Sequence, residues 1–211
     1  RPKPNGQTDH TSTSKQRAVK VLRSFGLDAE AASRFRREAD LLALLDHPGI
    51  ARVYSTGVAE TPTGVCHWLA MELVDGQDPL TFAAQHRMSI AERCALMAKV
   101  CDAVYHAHQR GVVHRDLKPG NLLVAGTDPA GAQPKVLDFG VARVVQGDGL
   151  LGRSTLLTQL TQTGQIVGTL AYMSPEQLEG DPDAVDHRSD IYALGVLAYQ
   201  MLAGRPPIDV S

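Results

Sequence analysis

The chain has 211 residues, 43% of them hydrophobic, with 21 Lys and Arg against 23 Asp and Glu and a formal net charge of −2. That length supports one or two domains with a real core, and so even a balance excludes a broad nucleic-acid-binding field. The three cysteines, Cys66, Cys94 and Cys101, are odd in number and not closely paired, which argues against a disulfide framework and for a reducing, cytoplasmic setting.

In chain order, residues 1–15 are polar and rich in turn formers, so they read as a loop and hold no apolar run of the signal-peptide kind. RAVKVL (17–22) alternates and carries two valines, which predicts a strand. Over 28–47, Asp28 is a candidate N-cap and Phe35, Leu41, Leu42 and Leu45 recur at helical spacing until HPGI stops the helix. Residues 51–60 and 65–76 predict two more strands joined by a turn at 61–64, and PLTFAAQH a short helix. A long helix follows over 89–111, with Ser89 and Glu92 spaced as a capping box and Gly111 as its stop. Beyond VVHRDLKPGN come a strand at 121–125, a turn, and a strand KVLDF at 135–139.

From Gly140 to Pro175 no strong period appears, and irregular segments of that length are usually functional or mobile. The helix over 186–204 is apolar nearly all round and reads as buried. Its uncharged run, 191–204, is too short to span a membrane. Strands first and helices after predict an α+β chain in which a small β-rich lobe leads into a helical lobe, with the site between them.

The chemistry concentrates in VVHRDLKPGNLLV (112–124), where His114, Arg115, Asp116, Lys118 and Asn121 lie between two apolar runs. Buried charge needs pairing or a use. Asp116, Asn121 and Asp138 are hard oxygen donors suited to Mg²⁺, which keeps few protein ligands and takes the rest from phosphates and water. Asp116 can also orient a hydroxyl or accept its proton. Lys118 can offset charge on a transferring phosphoryl group. Lys20, on the first strand, and Glu38, on the first helix, suggest an ion pair that holds the ammonium toward a phosphate. His106 and His108 read as helix-face residues and His114 as a packed core imidazole.

In that order, AVK, RRE, HRDLKPGN, DFG, GTLAYMSPEQ and SDIYALGV resemble the eukaryotic-type (Hanks-type) protein kinases, from about Ala18 to Pro207. DLKPGN with Lys118 resembles the serine/threonine branch, and SPEQ and GRPP its bacterial members. The resemblance implies a two-lobe fold: a β-rich N-lobe over 1–74 and a mainly helical C-lobe over 75–211. It also implies transfer of the γ-phosphoryl of ATP to protein Ser/Thr hydroxyls, with Mg²⁺.

By that resemblance Lys20 binds the ATP phosphates and pairs with Glu38. Asp116 is the catalytic base, Lys118 stabilises the γ-phosphate, and Asn121 and Asp138 hold Mg²⁺. Met71 lines the back of the adenine pocket, Glu72 and Val74 offer backbone hydrogen bonds to the base, and Leu123 is a further nucleotide contact. Asp78 reaches the ribose or, equally, caps the helix after it. His114, Phe139 and Leu42 stack in a spine anchored from Asp190, and Thr169 with YMSPE shapes the peptide site. Arg115 awaits a phosphorylated residue of the 140–168 segment, Thr161 or Thr163 in particular. The partners implied are a protein substrate with a Ser or Thr acceptor and a second copy of the kinase for autophosphorylation. No nucleic acid and no membrane segment is expected in this chain; anchoring of the full-length protein stays open.

Two parts of the pattern are missing. No GxGxxG precedes Lys20, and the usual arginine partner for Glu176 is absent. The expectation is a kinase core trimmed at both ends, which alone binds ATP poorly and exposes apolar surface on its last helix. The alternative, a pseudokinase-like binding or scaffold module, rests only on the missing glycine loop, because Lys20, Asp116 and Asp138 are all present.

Overall fold

The structure is a computed structural model, and it describes residues 16–23, 33, 37, 39–62, 64–139, 170–180 and 184–208. A three-stranded antiparallel sheet comes first, built from β1 (Arg17–Arg23), β2 (Val53–Thr61) and β3 (Gly64–Glu72) in the order β1-β3-β2. Register decides which side chains face inward. Ala18 lies opposite Met71 and Lys20 opposite Leu69, and directly paired residues share a face. Leu69 and Met71 are buried while Val19 and Val21 are exposed, so Lys20 lies on the face turned to the rest of the molecule. Residues 39–43 are helical and set Leu42 and Leu45 into the same core.

An extended strap over 73–78 leaves the end of β3 and is fixed at its far end by a bridge between Gln77 and Val124, with Val124 N donating to Gln77 O at 2.7 Å. Gly76 is required there: a Cβ would meet Val124 O at 2.7 Å. Helix α1 (Pro79–Gln85) starts with proline at its first turn, where no amide is needed. Helix α2 (Ile90–His108) carries the expected capping box, with Ser89 N donating to Glu92 Oε2 at 2.7 Å. A single 3₁₀ turn, Pro119–Asn121, leads into the hairpin of β4 (Leu122–Ala125) and β5 (Gln133–Val136). Later in the chain stand α3 (Pro175–Glu179) and α4 (His187–Ala203).

The core is continuous from sheet to helices. Val100, Ala103, Val104 and Ala107 of α2 and Leu197 and Met201 of α4 are almost fully buried, as are Leu122 and Val136 of the hairpin. Arg93 ties the start of α2 to the end of α4, its Nη1 donating to Met201 O at 2.6 Å. Two backbone bonds join the segment after the first helix to β5, Ala51 N to Val136 O and Val136 N to Gly49 O. Gly204, at φ +75°, ends α4 in the left-handed region.

Three expectations are corrected. The strand expected at 121–125 begins at Leu122 because Pro119–Asn121 close a 3₁₀ turn. The strand expected at 135–139 occupies Gln133–Val136, and Asp138 at φ +53° cannot continue a ladder. Helix α4 is buried on one side only: Ile191, Tyr199 and Leu202 are 56%, 41% and 46% exposed. Among the described residues no helix is long and apolar enough to cross a membrane.

Candidate active site

The apolar runs around the central motif are packing. Val112, Leu117 and Leu122 are buried and clamp the loop between α2, α4 and the hairpin. Its charged groups are organised by two buried residues. His114 is fully buried; its Nε2 donates to Leu137 O at 2.8 Å, while its Nδ1 accepts from Asp116 N at 3.2 Å. Those partners define the neutral tautomer, and burial holds the imidazole pKa below its ordinary value. Asp190, 1% exposed, accepts from His114 N and Arg115 N at 2.8 Å each and from His108 Nε2 at 2.7 Å. One carboxylate of α4 therefore holds the backbone just before Asp116.

Two non-glycine residues of the site sit at positive φ, Arg115 at 65° and Asp138 at 53°. Such strain costs on the order of 1–3 kcal/mol per residue and persists only where the surroundings fix it. Asp116 Oδ2 receives Lys118 Nζ at 2.9 Å and Asn121 Nδ2 at 3.0 Å. Asn121 Nδ2 also donates to Asp116 O at 2.7 Å. Lys20 Nζ meets Asp138 Oδ1 at 3.1 Å, both side chains about one-third exposed. The two groups abut through the backbone, since Leu137 N donates to Asn121 O at 2.9 Å. Lys20, Asp116, Lys118, Asn121 and Asp138 thus converge on one side of the junction between sheet and helices. Glu38 lies outside the described residues, as do Thr169 and the threonines of the 140–168 segment.

Met71 and Phe139 line one apolar cavity with Leu42, Leu45, Leu69 and Asp138. Phe139 packs on His114 at a ring-centroid distance of 4.8 Å. Leu42, Phe139, His114 and Asp190 therefore form one continuous column. Val74, partly buried, packs against the core from the strap. Leu123 is half-buried on β4 opposite Lys135. Of the two readings of Asp78, the structure displays the cap: its Oδ1 accepts from Leu80 N and Thr81 N at 3.0 Å each. Glu72 uses its carboxylate to receive Arg52 N at 3.1 Å and Lys135 Nζ at 2.8 Å.

The donor set suits a hard cation. With its nitrogen committed to Asp116, Asn121 keeps an amide oxygen, and Asp138 supplies a carboxylate from the residue after Leu137, whose N–H donates to Asn121 O. Among the described residues no three His, Cys, Asp or Glu side chains gather as a metal cage. Arg115 Nε is buried and has no hydrogen-bond partner among the described residues, a cation placed to receive an anion. Glu176 finds a partner in Ser189, whose Oγ donates to it at 2.6 Å. That bond holds the Glu176 carboxyl below its usual range.

Sequence reasoning missed His108, Lys135 and Gln177. Helical spacing puts His108 on a helix face, yet its side chain is 10% exposed and bonded to Asp190. Nothing in its spacing marks this. Gln177 was not singled out, although S-P-E-Q is a capping-box pattern. Its Oε1 accepts from Ser174 N at 3.0 Å and its Nε2 donates to Arg115 O at 2.7 Å.

Comparison with known proteins agrees with this geometry. Residues 7–211 match the family model described as the protein kinase domain. The chain is 41% identical over 192 residues to serine/threonine-protein kinase PknB of Mycobacterium tuberculosis, covering 90% of this chain and 28% of that protein. It is 38% identical over 199 residues to the probable serine/threonine-protein kinase SCO3848 of Streptomyces coelicolor, covering 93% and 28%. The chain thus spans about 28% of the length of these curated relatives. Among solved structures, Rad53 1-466 in complex with AMP-PNP superposes with a TM-score of 0.63 at 27% identity, covering 92% of this chain and 42% of that one. A small sheet feeding a helical body, a fixed loop bearing Asp116, Lys118 and Asn121, and a family match over nearly the whole length carry one conclusion: the chain belongs to the protein kinase domain family.

Proposed function

We propose that the protein is a serine/threonine protein kinase that transfers the γ-phosphoryl of ATP to a protein hydroxyl. The observation that carries this reading is the convergence of Asp116, Lys118 and Asn121 with the Lys20–Asp138 pair. Asp116 has Oδ2 tied to Lys118 and Asn121, which fixes the carboxylate and leaves Oδ1 to orient an acceptor hydroxyl and take its proton. Lys118, beside it, stabilises charge on the group in transfer. Lys20 directs its ammonium at phosphate oxygens, paired with Glu38 in the working state. Asn121 and Asp138 hold Mg²⁺, which neutralises phosphate charge when bound. Met71, the backbone of Glu72 and Val74, and Leu123 surround the adenine. Catalysis then consists mainly of positioning and charge stabilisation. Support comes from the names of the relatives and from the nucleotide analogue in the Rad53 structure.

The reading includes an N-lobe through residue 74 and a C-lobe from 75, a Ser/Thr-bearing protein substrate, and self-association for autophosphorylation at Thr161 or Thr163, whose phosphate Arg115 would receive. A pseudokinase is disfavoured because Lys20, Asp116 and Asp138 are all present, with Lys20 paired to Asp138 and Asp116 to Lys118. The test is phosphoryl incorporation by the full-length protein from labelled ATP, against its Asp116→Asn variant. Incorporation is expected to fall by about a thousandfold or more, since the variant loses both the base and a transition-state contact. Equal incorporation by both proteins would sink the assignment.

A further inference from the structure

Gln177 links two parts of the site that sequence keeps 62 residues apart. Its amide does two jobs at once. Oε1 accepts from Ser174 N at 3.0 Å and from Ser174 Oγ at 3.3 Å, completing the first turn of α3. Nε2 donates to Arg115 O at 2.7 Å. The amide orientation follows from its partners, because a backbone N–H only donates and a carbonyl only accepts. Arg115 is the strained residue directly before Asp116, at φ 65°. Its N–H is held by Asp190 Oδ1 at 2.8 Å. Its carbonyl is held by Gln177. Both backbone polar groups of this residue are therefore fixed by side chains, one from α4 and one from α3. That is the condition under which a strained backbone stays in place. The same residues, with Leu117, Tyr172, Met173 and Ser189, line one small cavity behind the loop.

We infer that Gln177 is a positioning residue: it sets the backbone that presents Asp116, and so makes the placement of Asp116 depend on the docking of the segment 170–180. The inference rests on the kinase reading for its catalytic consequence. It also explains why an amide stands here. A glutamate would satisfy Ser174 equally well, and better by charge at a helix N-terminus, but would turn an acceptor toward the Arg115 carbonyl. An asparagine is one methylene shorter than the side chain that makes both bonds.

The isosteric Gln177→Glu variant separates positioning from packing. A role confined to the helix cap predicts unchanged or higher thermal stability and unchanged turnover. Positioning predicts a kcat lower by about tenfold to a hundredfold in a chain that still folds, with KM for ATP within about twofold, because the part-buried Arg115 carbonyl loses its donor. Gln177→Met, which loses both bonds, is expected to match that kcat loss and also to lower the melting temperature. Hydrogen exchange of residues 112–118 in the full-length protein gives a readout that needs no activity. It is expected to quicken in Gln177→Glu while α2 exchange stays as in the wild type. Wild-type kcat with wild-type exchange in Gln177→Glu overturns the inference. So does a kcat loss in both variants that merely tracks the fraction unfolded. A wild-type protein that transfers no phosphoryl group refutes the kinase reading instead, and the exchange measurement still decides whether Gln177 positions the loop.

Discussion

Asp190 is where a single side chain governs the site. It is buried on α4 and accepts from two backbone amides and from His108. A carboxylate is the smallest group that can accept all three, because both of its oxygens are acceptors. Asp190→Asn keeps the shape but turns an NH₂ toward at least one of those donors. The expected cost is roughly 2–4 kcal/mol of folding stability, from a buried donor left unpaired and an anionic hydrogen bond lost. Urea unfolding of the variant and of the wild type measures it, and a difference under about 0.5 kcal/mol, the usual scatter of surface changes, contradicts the account. Asp190 was legible in the sequence only through SDIYALGV and its family resemblance. His108 was not legible at all, since its position near the end of a helix gives no hint of what stands opposite. The strain at Arg115 and Asp138 was hidden for a similar reason: neither is glycine, so local propensity carries no signal of a positive φ.

At the scale of elements, capping chemistry was the part of the sequence that spoke most directly. Ser89 with Glu92 placed the start of α2 correctly, and Pro79 placed the first turn of α1. Asp78 admits two readings in sequence, and the hydrogen bonds it accepts from Leu80 N and Thr81 N show the cap. Asp78→Ala is expected to lose about 1 kcal/mol, the usual worth of an N-cap. Asp78→Ser, which can cap but has no carboxylate, is expected to restore most of it. Thermal melts of the two variants check this. If serine restores stability but nucleotide affinity stays low, the carboxylate has a second use at the ribose. Strand ends were less legible. KVLDF looks like five strand residues, but the ladder ends at Val136 because Leu137 turns its amide to Asn121 and Asp138 leaves the β region. Helix α3 is five residues long, too short for any period to show, and only its capping box could have revealed it.

Across the whole molecule, sheet and helices are joined by groups whose partners lie far apart in sequence. Lys135 reaches Glu72 at the end of β3, Lys20 reaches Asp138, and His114 reaches Leu137 while stacking on Phe139. The resemblance to kinases foretold the His114 column. The Lys135–Glu72 link was not foretold, because an isolated lysine and glutamate carry no motif. His114 also makes the fold sensitive to acid. Burial outweighs the pull of Asp190, Asp116 and Asp138 and keeps the imidazole neutral below its ordinary 6.5. The unfolded chain therefore takes up a proton near that value that the folded chain refuses. Stability is then full above about pH 6.5 and is lost as pH falls toward the lowered folded pKa, by about 1.4 kcal/mol for each unit of depression. His106, also lowered mainly by burial, adds in the same direction. The urea midpoint of the wild type is expected to drop between about pH 7.5 and pH 5.5. His114→Phe loses two hydrogen bonds and is less stable at the upper pH, yet its midpoint should fall less steeply over the same range, since one of the two refused protons is gone. His106→Gln serves as the companion variant and should flatten the other share. A His114→Phe slope equal to that of the wild type would show that the buried imidazole is protonated in the folded chain, against the neutral tautomer that Leu137 O and Asp116 N together define.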